Sequence, residues 1–171
     1  SGLRPPPNDL RSHAMTKSHL LAGLAALALI STPAMAQKSP EAVAEAALKK
    51  APVFDGHNDV PWELRGQVGN VINNFDFRDT TKPKPDGTVM HTDIQRLRKG
   101  HVGAQFWSVY VPSNTNEQQA VQQTIEQIDV AKRLIARYPN DLGFALTSAE
   151  LESQMKAGKV AGMLGIEGGH S

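Results

Sequence analysis

The chain has 171 residues, 40% hydrophobic and 20% charged, a balance that fits one ordinary globular domain and excludes a long disordered polar tract. A formal charge of +1, only 5% aromatic residues and no long basic run exclude a nucleic-acid surface resting on clustered Lys and Arg. With no cysteine there is no disulfide, no thiolate ligand and no lipidated Cys, so any metal must sit on His and carboxylates.

Residues 1–14 precede a plausible start at Met15, include Pro5-Pro6-Pro7, and are expected to stand outside the native fold. From Met15-Thr16-Lys17 the chain passes into an apolar run, Leu20 to Ile30, and then to Ala34-Met35-Ala36. A basic start, a short apolar run and a small-residue A-x-A end describe a signal peptide over residues 15–36, with cleavage after Ala36. The run is far shorter than the roughly 20 apolar residues of a spanning helix. An uncleaved anchor or a buried Ala/Leu helix is the competing reading. The mature chain is then residues 37–171, exported to a periplasmic or secreted location, nearly neutral and without a transmembrane span.

Ser39 can cap a helix with Pro40 in its first position, and the Ala-rich Glu41–Lys50 continues it until Pro52. Val53-Phe54-Asp55 reads as a strand running into Gly56-His57-Asn58-Asp59, where an extended backbone would aim His57 and Asp59 to one face. Pro61 to Phe77 shows no clean period and reads as a flexible excursion, and Lys82 to Gly87 is a loop by its Pro and Gly content. Thr92–Lys99 reads as a short helix with Ile94 and Leu97 inward and Gly100 as its stop. Val102–Val111 is a buried strand by its β-branched and aromatic content, ending at Pro112.

Thr115-x-x-Gln118 offers a capping box for a long helix whose apolar stripe is Val121, Ile125, Ile128, Ala131, Ile135 and Tyr138, closed by Pro139. Leu142–Leu146 is a brief strand, Thr147-x-x-Glu150 a second capping box, and the helix from Ala149 stops near Gly158. Val160–Ile166 is the next strand. Strand and helix alternate, so the fold class is α/β with parallel pairing through right-handed crossovers. In such folds ligands gather at the C-terminal strand ends, where His57, Asp59 and Glu167 fall.

His, Asp and Glu are the ligand types of a hydrolytic zinc site. From spacing alone, His57-x-Asp59 is as readily a turn, and Glu167-Gly168-Gly169 as readily a tight bend.

Four segments taken together resemble the membrane (renal-type) dipeptidase family: Asp55-Gly56-His57-Asn58-Asp59-Val60-Pro61-Trp62, Gly103 to Tyr110, Glu126-Gln127-Ile128-Asp129, and Gly165-Ile166-Glu167-Gly168-Gly169-His170-Ser171. The resemblance covers about residues 50–171. It implies a (β/α)8 barrel of the amidohydrolase type with two Zn2+ at its C-terminal mouth, of which this chain holds an incomplete N-terminal portion. It also implies that His57 and Asp59 bind one zinc and that Glu167 bridges both. A hydroxide between the metals would attack the carbonyl of a dipeptide, often one with a D-residue at its C-terminal position. Trp62 and Tyr110 fall where the family lines its substrate pocket, core packing being the alternative for each. His170 is no ligand in the resemblance and is expected to hydrogen-bond beside the site, with Asn58 orienting the turn; His91 and His101 are expected at the surface or in packing.

Such a barrel takes about 250 residues, more than residues 37–171 supply. The second zinc's two further His lie on later strands in the resemblance. The first functional expectation is therefore an exported zinc dipeptidase represented by its N-terminal part, acting on dipeptides and not on nucleic acid, with a homodimer compatible for the complete protein. The alternatives are a non-catalytic truncated product binding at most one metal through His57, Asp59 and Glu167, and a different amidohydrolase-type reaction on the same scaffold.

Overall fold

The computed structural model describes residues 2, 37–83, 87 and 89–171. The upstream reading of residues 1–14, the leader reading of 15–36 and the centre of the Pro/Gly loop at 84–86 fall outside the described residues. The chain divides into two units, 1–38 and 39–171, and the second carries every helix and strand described below.

Helix α1 (Pro40–Lys50) begins as its sequence requires, with the Ser39 hydroxyl accepting from the Ala42 amide and Pro40 where no amide is needed. Strand β1 (Val53–Asn58) leads into α2 (Val60–Val68), followed by a 3₁₀ turn (Ile72–Asn74). Then come α3 (Ile94–Lys99), β2 (Val102–Val109), α4 (Glu117–Arg137), β3 (Leu142–Phe144), α5 (Ser148–Lys156) and β4 (Val160–Ile166). All strand pairs are parallel and the spatial order is β1-β2-β4-β3. The short β3 pairs only with the beginning of β4, Leu142 opposite Val160 and Phe144 opposite Gly162, so the far half of β4 has β2 as its partner and an open edge beyond.

Alternation along the strands separates two faces. Trp107 and Gly162 face α4, where a Cβ on Gly162 would meet both the Trp107 indole and Ile135; these two side chains fill that space. The helix-side core joins them with Leu64, Phe77, Ile94, Leu97, Val130, Leu134 and Tyr138. The opposite face carries Phe54, tilted against Phe106 with ring centroids 5.9 Å apart.

Residues 61–77 are not the flexible excursion their pattern suggests. Val60, Pro61 and Leu64 are buried on one side of α2, and Gly69 ends it in the left-handed conformation. Beyond it Phe77 is fully buried, its amide donating to the Tyr138 hydroxyl (2.8 Å) and its ring edge-on to Trp107. The apolar anchors are spaced irregularly because each enters a separate niche.

Two expectations about α4 are also corrected. Its cap is Asn116, whose side chain accepts from Gln119, in place of a Thr115–Gln118 box. Val121 and Ile125 lie outward, 53% and 61% exposed, while Ala120, Thr124, Gln127, Val130, Ala131, Leu134 and Ile135 face inward. Small and polar residues occupy the inward line near the start of α4, which hides that line from an apolar count. The Thr147–Glu150 capping box, by contrast, is formed in full, and β4 has the bounds its sequence gives it.

Candidate metal centre

Parallel strands end together, so the residues following them meet at one end of the sheet. Phe54 pairs with Ala104 and Asp55 with Gln105, but the next partners are Asn58 and Trp107, leaving Gly56 and His57 opposite Phe106 alone. This bulge breaks the alternation that would put His57 beside Asp55 on the helix face, and turns it to the other face. His57 Nε2 consequently lies 3.6 Å from Glu167 Oε2 and 3.2 Å from Asp59 Oδ1.

Asp59 is not on the strand. It is the residue before α2, yet its side chain makes no capping bond there. Asn58 caps the helix start in its place, with its side-chain carbonyl oxygen accepting from the Val60 amide (3.2 Å) and its side-chain amide donating to Thr92 Oγ1 (3.0 Å). The Asp59 carboxylate is thereby left to face His57. Asn58 orients the turn as its position suggested.

Glu167 follows β4, its amide still bonded to the Val109 carbonyl (3.1 Å). The Ser108 hydroxyl donates to its Oε2 at 2.9 Å, fixing the carboxylate from β2. Gly168 then turns with φ +91, and the His170 ring folds so closely over it that a Cβ would stand 2.7 Å from the imidazole. His170 Nε2 is bonded to the Pro112 carbonyl at 3.2 Å, so it braces the turn and does not touch the three groups.

Among the described residues, His57, Asp59 and Glu167 are the group whose nitrogen and carboxylate oxygens all lie within 4.8 Å of one another. Donors at about 2.0–2.2 Å from one tetrahedral ion stand roughly 3.3–3.6 Å apart, and the observed 3.2 and 3.6 Å match that spacing. The three side chains are each about half exposed, open to an ion and to solvent. An imidazole with two carboxylates suits zinc, and also manganese or cobalt.

Trp62 and Tyr110 are brought together, rings edge-to-face with centroids 5.2 Å apart, both half-buried. Tyr110 follows β2 directly and Trp62 lies in the first turn of α2, three positions beyond Asp59. His91 is exposed, and His101 is a packing residue bonded to Glu45 of α1 at 2.9 Å. Ser108 was not singled out from sequence; its signal is a hydroxyl near the C-terminal end of a largely apolar strand.

A family model described as membrane dipeptidase, peptidase family M19, matches residues 41–171. The dipeptidase ataJ of Aspergillus terreus is 37% identical over 135 residues, 74% of this chain and 31% of that protein. Among solved structures, the dipeptidase AC, a metallopeptidase of family M19, shares 28% identity at a TM-score of 0.55, over 70% of this chain and 36% of its own. A metallopeptidase from Rhodobacter sphaeroides, liganded with a phosphinate mimic of the dipeptide L-Ala-D-Ala, is similar in fold at 23% identity and a TM-score of 0.57, over 70% of this chain and 38% of its own. The chain spans about a third of the length of these relatives. Its four parallel strands are accordingly part of a barrel of this type.

Proposed function

The chain belongs to the membrane dipeptidase family, peptidase family M19, and from that premise we propose that it is the N-terminal part of an exported zinc dipeptidase whose metal site begins with His57, Asp59 and Glu167. The observation that carries this reading is the convergence of those three donors, at ligand spacing, on the C-terminal end of the sheet. Zinc held there supplies a Lewis acid that polarises a peptide carbonyl and lowers the pKa of water. The chain's own residues do the positioning: the bulge presents His57, Asn58 frees Asp59, and Ser108 holds the Glu167 carboxylate beside His57. The Trp62–Tyr110 pair is the wall against which a small peptide rests. That a relative of this fold was solved with a dipeptide mimic supports the substrate class.

The second reading is a product that binds one metal through His57, Asp59 and Glu167 and does not turn over. Metal stoichiometry and hydrolysis of a simple dipeptide separate the two. The dipeptidase reading expects chelator-sensitive turnover from a longer polypeptide of the same frame, and at most one metal without turnover from residues 37–171. A longer polypeptide that binds zinc and hydrolyses no dipeptide sinks it. Export is checked by intact mass: the exported protein should begin at Gln37, and retention of Leu20–Ile30 would count against cleavage. Among the described residues no helix is long and apolar enough to cross a membrane.

A further inference from the structure

The segment Glu126-Gln127-Ile128-Asp129 has no part in the metal site, yet two of its side chains converge on one residue of α2. Arg65 Nη2 meets Glu126 Oε2 at 2.5 Å, and Arg65 Nε donates to Gln127 Oε1 at 3.4 Å. Gln127 is completely buried, and its Nε2 has no protein partner. A buried amide with a donor unmet costs stability that an apolar side chain of the same size would not, so its presence calls for a reason other than stability. The Glu126 carboxyl is held below its usual range by the hydrogen bond from Arg65 and then by that from Gln122, so it stays charged against the guanidinium.

From this anchorage the guanidinium reaches the face of Trp62, 6.0 Å from the ring centroid, and Trp62 in turn stands edge-on to Tyr110. Helix α2 is short and buries only Val60, Pro61 and Leu64. These side chains face the core, and a rotation of α2 about its axis would carry Trp62 away from Tyr110.

We propose that Arg65 is a positioning residue: clamped to α4 by Glu126 and Gln127, it holds Trp62 against Tyr110 and so fixes the wall that a dipeptide side chain meets. The substrate half of this inference rests on the function proposed above. The clamp itself does not, and the two are tested separately.

The full, metal-loaded protein is compared with Arg65→Met, Arg65→Lys and, as a control, Arg133→Met, which removes a cation that also bonds α4 to Asn70 but does not touch Trp62. The first measurement is acrylamide quenching of Trp62 fluorescence, isolated by subtracting the matching Trp62→Phe protein. Arg65→Met should raise the Trp62 quenching constant about twofold, Arg65→Lys less, and Arg133→Met not at all. The second is steady-state kinetics on dipeptides with large side chains, where Arg65→Met should raise KM about tenfold with kcat and metal content held within about threefold.

Unchanged quenching in Arg65→Met, or a fall in kcat and metal content with KM unmoved, overturns the proposal. If the unmodified protein hydrolyses no dipeptide, the functional reading fails, and quenching alone upholds or overturns the clamp. Should Arg65→Met fail to fold, Glu126→Gln removes the charge on the other side and is read by the same two measurements.

Discussion

On the helix side of the sheet Phe77, Trp107, Val130 and Leu134 are each no more than 1% exposed, whereas on the opposite side Phe54 keeps 53% of its surface in solvent and Phe106 and Met163 are only partly covered. The first face is sealed by helices and loops of the same chain. The second carries the candidate metal site: His57, Ser108 and Glu167 stand at its open end, where the His57 and Glu167 side chains keep about half their surface in solvent. Packing is complete on the helix side, and the candidate ligand groups are left half-solvated on the other. The same contrast recurs inside α2, whose Val60 and Leu64 serve the sealed face while the residue before it, Asp59, serves the open one.

The contrast breaks first if a change on the open face costs stability and not activity. Glu167→Gln should leave the folded structure intact and lower dipeptide turnover of the metal-loaded protein by about a thousandfold or more, read by circular dichroism beside a hydrolysis assay. A matching loss of thermal stability would show that the open face is structural after all. Leu134→Ala is the opposite case: it should destabilise by about 2–5 kcal/mol in denaturant titration, with turnover per folded molecule kept.

Asp93, buried beside α3, sharpens the sealed side through pH. Burial alone would raise its pKa, but hydrogen bonds from the Arg96 amide, the Arg96 guanidinium and the Thr80 amide outweigh that and lower it. A carboxyl whose pKa is depressed on folding contributes stability above its unfolded value, about 3.9, and loses it as pH falls through the folded value. Asp93→Asn should therefore be less stable by about 2 kcal/mol at neutral pH, and the gap should close below about pH 4; a deficit that does not depend on pH would remove the ionic account. The smallest effect belongs to Phe54→Ser, expected within about 1 kcal/mol in residues 37–171 because half the ring is already wet. In a longer polypeptide that closes the barrel the same change should cost about 2–4 kcal/mol, the difference measuring how far later strands cover this face.

Much of this division is legible in the residues. The cap at Ser39, the Thr147–Glu150 box and the strand Val160–Ile166 follow from local chemistry, which acts over a few residues and is written there. His57, Asp59 and Glu167 are visible as ligand types at strand ends. What is not legible depends on partners distant in sequence. The inward line of α4 is chosen by α2 and β2 and admits Thr124 and Gln127, so the bulky Val121 and Ile125 mislead. Helix α2 is short and contains Gly66, and its burial comes from Val60, Pro61 and Leu64 meeting a surface no local pattern announces. The release of Asp59 by Asn58 needs Thr92, which comes from the next loop.

The extra residue in β1 decides which side of the sheet the imidazole reaches. Gly56 and His57 share one partner position, so regular pairing of the same residues would carry the imidazole to the helix side of the sheet. Substitutions at Gly56, which has open space around its α-carbon, should be tolerated.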